Sequence, residues 1–242
     1  MFAAGKTDIG KLREENQDKF RICAINDETV FSVVCDGMGG AASGGLASEM
    51  TSNAVYERVQ LSYRSDMEPK SVKSLLITSV EAANSIVYNK SLEDVHDAGM
   101  GTTCVAALVH KNLLSITSVG DSRAYLMDNK GITQITNDHT IVEYLYSNGM
   151  ISEEEMKSHK MKNVITRAVG VEKTVEPDYF EIDLTGGEYI LICTDGLTNH
   201  LTNEQIYEIS YKQPIEHAVN ELIDAANSRG GKDNITAVLI SV

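Results

Sequence analysis

The sequence predicts an α+β fold in which two antiparallel sheets stack face to face and each outer face carries a pair of helices. Three observations predict it. Short apolar runs of strand length recur, joined by links too short for a parallel crossover. Helical periodicity is confined to four main stretches. Those stretches form two pairs, one after the early strands and one after the late strands.

Taken in order, residues 2–6 and 19–25 predict strands, and 30–36 predicts a buried one. Helical spacing begins near Ala41 and runs to 60, through Ala42, Leu46, Met50, Ala54 and Val55. A second helix over 71–88 places Val72, Leu75, Leu76, Val80, Ala83 and Val87 on one face. From Thr102 the period changes. Runs at 103–110, 113–119, 123–127 and 132–135 predict an antiparallel meander with turns at Lys111-Asn112 and Gly120-Asp121-Ser122. Residues 138–163 interrupt it. The capping box Ser152-Glu153-Glu154-Glu155 opens one short helix there, in either a mobile flap or an ordinary surface excursion. Strands at 179–184 and 188–193 flank the turn Thr185-Gly186-Gly187. A second capping box, Thr202 to Gln205, opens a helix to about Tyr211. A helix over 214–228 and a closing strand over 235–242 complete the chain.

At 242 residues and 42% hydrophobic, with no break in composition, the chain fits a single domain with a substantial core. The N-terminus lacks the apolar core of a signal peptide, and no apolar run is long enough to span a bilayer. Cys23, Cys35, Cys104 and Cys193 lie far apart in apolar runs without a C-x-x-C pair, which predicts buried free thiols in a reducing cytoplasm. A net charge of −14 argues against nucleic acid as a partner and suits a protein that collects cations, although surplus surface acid gives the same sum.

Function is sought at the stretch Val33 to Ala42, where an apolar run ends in Asp36-Gly37 and glycines follow. A carboxylate at a strand end is rigidly held yet faces open space, and Mg²⁺ prefers such oxygen donors. An isolated Asp-Gly after a strand is usually a turn. Gly37 to Ala42 also fits a relaxed dinucleotide fingerprint. That fold needs a second parallel strand with an acidic end, whereas Glu57 falls inside a helical pattern and Asp36 would repel a pyrophosphate. The same local grammar recurs at Asp18, Asp121, Asp195 and Asp233, each beside a strand-like run. Together, five aspartates along one edge of a sandwich would repel strongly without a counter-cation, and two metal ions about 3.5–4 Å apart would resolve that repulsion. The histidines show no H-E-x-x-H pattern, which argues against zinc. Arg13 is either a phosphate-binding group or a salt-bridge partner of Glu14, Glu15 or another acid. His139 is either an acid or a helix cap.

Arg13 with Asn16-Gln17-Asp18, Asp36 to Gly40, Gly101-Thr102-Thr103, Val119 to Arg123, Thr166 to Gly170, Thr194 to Leu197 and Lys232 to Thr236 form an ordered set across nearly the whole chain. This set resembles the metal-dependent protein phosphatases of the 2C type, bacterial serine/threonine branch. The resemblance implies an α-β-β-α sandwich holding two Mn²⁺ or Mg²⁺ ions, and a third, between its sheets. By the same resemblance Asp36 would bridge two ions and Gly37 would offer its carbonyl. Asp195 and Asp233 would hold the second ion, Asp18 would act through water, and Asp121 would serve the third with Asp195. Arg13 would grip the phosphate, and residues 138–163 would be the flap. The implied reaction is hydrolysis of phosphoserine and phosphothreonine in proteins by a water activated between the ions. The implied partners are phosphoproteins, including a serine/threonine kinase whose action it opposes, with the enzyme a cytoplasmic monomer. A catalytically silent member, or one acting on a single regulatory partner, is the alternative. Two departures stand out. Met38 replaces a histidine proposed as general acid in many relatives, and Gln17 stands where some carry an acid. Another proton source is then needed, either water at the third ion or His139.

Overall fold

A computed structural model describes residues 1–39 and 43–242. The expected start of the first helix at Ala41, with Ala42 on its face, and the end of the dinucleotide-like pattern lie outside the described residues.

Two antiparallel sheets form the centre. One contains β2 (Asp18–Asn26), β3 (Thr29–Met38), β5 (Cys104–His110), β6 (Leu113–Val119) and β9 (Asp178–Asp183), in that order. A two-residue strand, β4 (Gly101–Thr102), pairs with the end of β3. The other sheet runs β1 (Phe2–Asp8), β11 (Ile235–Ser241), β10 (Tyr189–Cys193), β7 (Arg123–Asp128) and β8 (Gly131–Gln134).

Strand periodicity builds the layers. In β3, Phe31, Val33 and Cys35 face the helices α1 (Ser43–Ser62) and α2 (Pro69–Ser91), while Val30 and Val34 face the other sheet. In β11, Ile235, Ala237 and Leu239 face α6 (Asn203–Ser210) and α7 (Ile215–Ser228), while Val238 and Ile240 meet β3 and β5 across the inter-sheet layer. Each strand is therefore apolar on both faces. The stripe Ala218, Val219, Leu222, Ile223 and Ala226 seats α7 on its sheet. Each fully buried aliphatic side chain of this kind is worth about 1.5–3 kcal/mol. The expected two-layer architecture with paired helices is what the chain forms.

Several local expectations are corrected. Gly120-Asp121-Ser122 is not a hairpin turn, because β6 and β7 belong to different sheets. Gly120 adopts φ +99°, and the chain crosses there from one sheet to the other. The link at 184–188 likewise passes between sheets. Residues 138–163 hold two short helices rather than one, α3 (Ile141–Ser147) and α4 (Glu153–Ser158), and Thr140 caps α3 in place of His139. Asp195-Gly196 is not a plain turn but opens the single-turn helix α5 (Asp195–Thr198). Cys35, Cys104 and Cys193 are buried free thiols as expected, whereas Cys23 is only half-buried.

Candidate metal centre

One end of the inter-sheet layer is acidic. Asp18 and Asp36 lie opposite each other in the β2–β3 register, on the face that further along carries Val30 and Val34. Asp195 follows β10, Asp233 precedes β11, and Asp121 sits on the crossover from β6 to β7. Strand ends from both sheets thus bring the five predicted aspartates to one place. A cleft of ≈ 840 Å³ is lined by Asp36, Gly37, Asp121, Asp195 and Asp233, with Arg13 at its rim.

The backbone around these side chains is firmly held. The Asp36 carbonyl accepts from Thr103 N–H at 2.9 Å and Thr102 Oγ1 at 2.8 Å. Gly37 donates its N–H to the Gln17 carbonyl at 3.2 Å, and a Cβ there would strike the Gly44 carbonyl. Only glycine allows that approach. Asn234 clamps the N-terminal loop, accepting from Gln17 N–H at 2.8 Å and donating to the Ile9 and Glu15 carbonyls, both at 2.9 Å. Gly196 passes so close to the Asn234 carbonyl that no side chain fits. The segments bearing Asp18, Asp36, Asp195 and Asp233 are consequently locked to one another.

The electrostatics run against four negative charges in this space. Burial pushes the Asp18 carboxyl up to about 7, against hydrogen bonds from Thr236 and Thr194 that lower it. Burial, then the charges of Asp18, Asp195, Asp121 and Asp233, holds Asp36 well above the usual carboxylate range. Asp121 rises to about 7 through burial and then Asp195. Asp195 is raised by burial and then Asp233. Arg13 supplies one cation, donating from Nη2 to Asp233 Oδ2 at 2.7 Å.

A hard dication fits these donors. Asp18 is 1% exposed; its Oδ2 accepts from Thr194 and Thr236 at 2.9 and 2.7 Å, yet Oδ1 has no hydrogen-bond partner among the described residues. A buried carboxylate oxygen left unpaired is costly, and a cation relieves it. The cleft offers carboxylates and carbonyls, without histidine or cysteine. Among the described residues no three acidic, histidine or cysteine side chains form a ready-made cage.

The protein phosphatase 2C family profile matches residues 11–239. The chain belongs to the protein phosphatase 2C family. The serine/threonine phosphatase stp of Listeria monocytogenes is 37% identical, over 99% of this chain and 95% of that protein. Protein phosphatase PhpP of Streptococcus pneumoniae is 30% identical, over 98% and 95%. Among solved structures, serine/threonine phosphatase Stp1 of Staphylococcus aureus superposes with a TM-score of 0.91 at 33% identity, covering 99% of this chain and 94% of that one.

In this phosphatase, Thr194, Asn234 and Thr236 matter more than sequence reasoning allowed. They lie inside the motif strings, but nothing in the sequence marks the two threonines as the clamp on Asp18. An aspartate–asparagine pair before a buried strand was the one available signal. His139 is no acid at the cleft. Its Nδ1 accepts from Gly120 N–H at 3.0 Å, and its Nε2 lies 3.2 Å from Asp178 and 3.0 Å from Arg167. Burial lowers its pKa. With Nδ1 so engaged, the neutral ring carries its proton on Nε2. It holds the 120–122 crossover in place.

Proposed function

We propose that residues 1–242 are one catalytic domain that hydrolyses phosphoserine and phosphothreonine in proteins at this acidic cleft, using bound Mn²⁺ or Mg²⁺. The observation that carries it is the convergence of five strand-end aspartates, with Asp18 Oδ1 buried and unpaired. In this reading Asp36 would serve both ions, the Gly37 carbonyl would hold one of them, Asp195 and Asp233 would hold the other, and Asp18 would act through water. Asp121 with Asp195 holds a third. Bound ions supply the positive charge that acidifies water and neutralises the phosphoryl oxygens.

The chain's own part is positioning. Threonine donors fix Asp18, and the Thr102 and Thr103 contacts fix the backbone of Asp36, so the acids need no rearrangement when substrate arrives. Arg13 is 53% exposed on its side chain, and its ion pair with Asp233 is held at small cost to break. It can turn its guanidinium fork onto a phosphate dianion. Met38 lines the cleft but cannot donate a proton, so the leaving serine or threonine oxygen needs another donor, and this reading assigns it to a water beside Asp121.

The three buried unpaired cysteines support a reducing, cytoplasmic setting, and family membership supports opposition to a serine/threonine kinase by a monomeric enzyme. No helix among the described residues is long and apolar enough to cross a membrane. The test is hydrolysis of p-nitrophenyl phosphate and a phosphothreonine peptide by metal-stripped protein, with and without Mn²⁺, beside Asp195→Ala. Hydrolysis is expected only with Mn²⁺ and only in the wild type. Full activity in the variant, or in chelator, overturns the assignment.

A further inference from the structure

A second cavity of ≈ 300 Å³ adjoins the acidic cleft. Met38, Ile165, Ala168, Val171 and Val175 give it an apolar lining. Met38 and Ile165 also line the cleft, so the two spaces share a wall. The cavity is preformed. Val169 exchanges both backbone hydrogen bonds with Thr102, at 3.0 and 2.9 Å. Asn84 of α2 is 1% exposed; it accepts from Gly170 N–H at 2.7 Å and donates to the Glu172 carbonyl at 3.0 Å. These bonds pin residues 169–172 on both sides, which removes most of the ordering cost of filling the cavity.

Its size and chemistry define the occupant. It stands at the lower limit of small-molecule pockets, room for one aliphatic or aromatic side chain. Val171 is 45% exposed on its wall, an apolar surface open to solvent. Arg167 at the rim already pairs with Asp178 at 2.6 Å, so it does not ask for an acidic ligand. Glu172 at the rim disfavours one. The shared Met38–Ile165 wall puts the cavity within reach of residues that flank a phosphorylated residue seated in the cleft.

We propose that this cavity receives an apolar side chain flanking the phosphorylated residue of the protein substrate, and so selects phosphorylation sites beside leucine, isoleucine, methionine or phenylalanine. The inference rests on the phosphatase reading of the cleft. Met38 suits the shared wall, because an unbranched thioether adapts to side chains of different shape.

The experiment uses phosphothreonine peptides that differ at one flanking position at a time, leucine against glycine and aspartate, with Mn²⁺ present. At one flanking position wild type should prefer leucine to glycine by about 10-fold or more in kcat/KM, with aspartate poorest. Val171→Asp should bring the leucine-to-glycine ratio close to one. Val171→Ala adds no charge at this exposed site and should lower the ratio by a smaller factor. Hydrolysis at equal efficiency whatever the flanking residue overturns the subsite and leaves the phosphatase reading standing. A leucine preference unchanged in both variants also overturns it, since the selectivity then arises elsewhere. No hydrolysis of any peptide or of p-nitrophenyl phosphate overturns the phosphatase reading and the subsite with it.

Discussion

Four links carry the chain between the sheets; the two shortest, 120–122 and 184–188, lie at opposite ends of the sandwich, and each bears a buried acid. At the far end, between β9 and β10, Glu188 accepts from Thr185 N–H at 2.8 Å, from Gly186 N–H at 2.7 Å and from the Thr185 hydroxyl. Burial raises its carboxyl, but these donors outweigh burial and hold it below the usual glutamate value. At the near end, between β6 and β7, burial and Asp195 drive Asp121 up to about 7. The fold can satisfy a buried carboxylate on a short crossover, and at the far end it does. At the near end it gathers carboxylates that oppose one another. A local rule broken at one place while the rest of the chain obeys it marks a functional site.

The sharpest break of this comparison is a pair of substitutions. Asp121→Asn should lower Mn²⁺-dependent kcat/KM by about 10- to 100-fold, the range for groups that tune a metal site, while leaving the metal-free protein as stable as wild type or more so. Glu188→Ala should do the reverse. It strands buried donors and costs about 1.5–3 kcal/mol, or about 3–12 °C in melting temperature, with kcat/KM unchanged. Calorimetry and phosphopeptide kinetics on both variants check this. Equal effects from the two would mean that the ends differ only in detail.

A second prediction sharpens it through pH. Asp18 and Asp121 are held at about 7 in the fold, against about 3.9 when unfolded. Between those values the folded state binds more protons, so the stability of the metal-free protein falls as pH rises through the window. Glu188 has the opposite sign. Its stabilisation is present above the unfolded glutamate value and is lost only as pH falls through its depressed pKa. Metal-free protein should therefore melt lower at pH 8 than at pH 5, by on the order of 1–3 kcal/mol, and Mn²⁺ at pH 8 should restore it. A melting temperature that rises from pH 5 to pH 8 without metal would show that the acids are not opposed.

The legibility of the two ends explains what sequence could and could not supply. The continuous apolar runs of β3 and β11 and the helical stripe on α7 stand out in sequence, so layers and helix pairs were readable. The aspartates were readable because each sits beside an apolar run. The crossovers at 120–122 and 184–188 were not. A short link between two strands looks the same whether the strands pair or part, and only the packing of the inter-sheet layer decides. β4 is two residues long, too short for any pattern. The clamps made by Asn234, Thr194 and Asn84 join residues 217, 176 and 86 positions apart, respectively, which no local signal encodes.

Arg13 gives the smallest effect on stability and tests the near end most directly. Its ion pair with Asp233 joins two partly exposed side chains, 53% and 33%. Water screens such a pair, so Arg13→Ala should cost less than about 1 kcal/mol of stability. Removing a guanidinium beside Asp233 also leaves that carboxylate freer for a cation, so Mn²⁺ affinity by calorimetry should hold or rise. Turnover should still suffer, with kcat/KM for phosphopeptides down by about 10-fold, one charge-assisted hydrogen bond to the phosphate. Arg13→Lys should recover little, because an ammonium lacks the planar fork. A weakened affinity for Mn²⁺ in Arg13→Ala would instead make the arginine a support for the Asp233 loop, and the cation at the cleft rim would then belong to the scaffold rather than to the substrate.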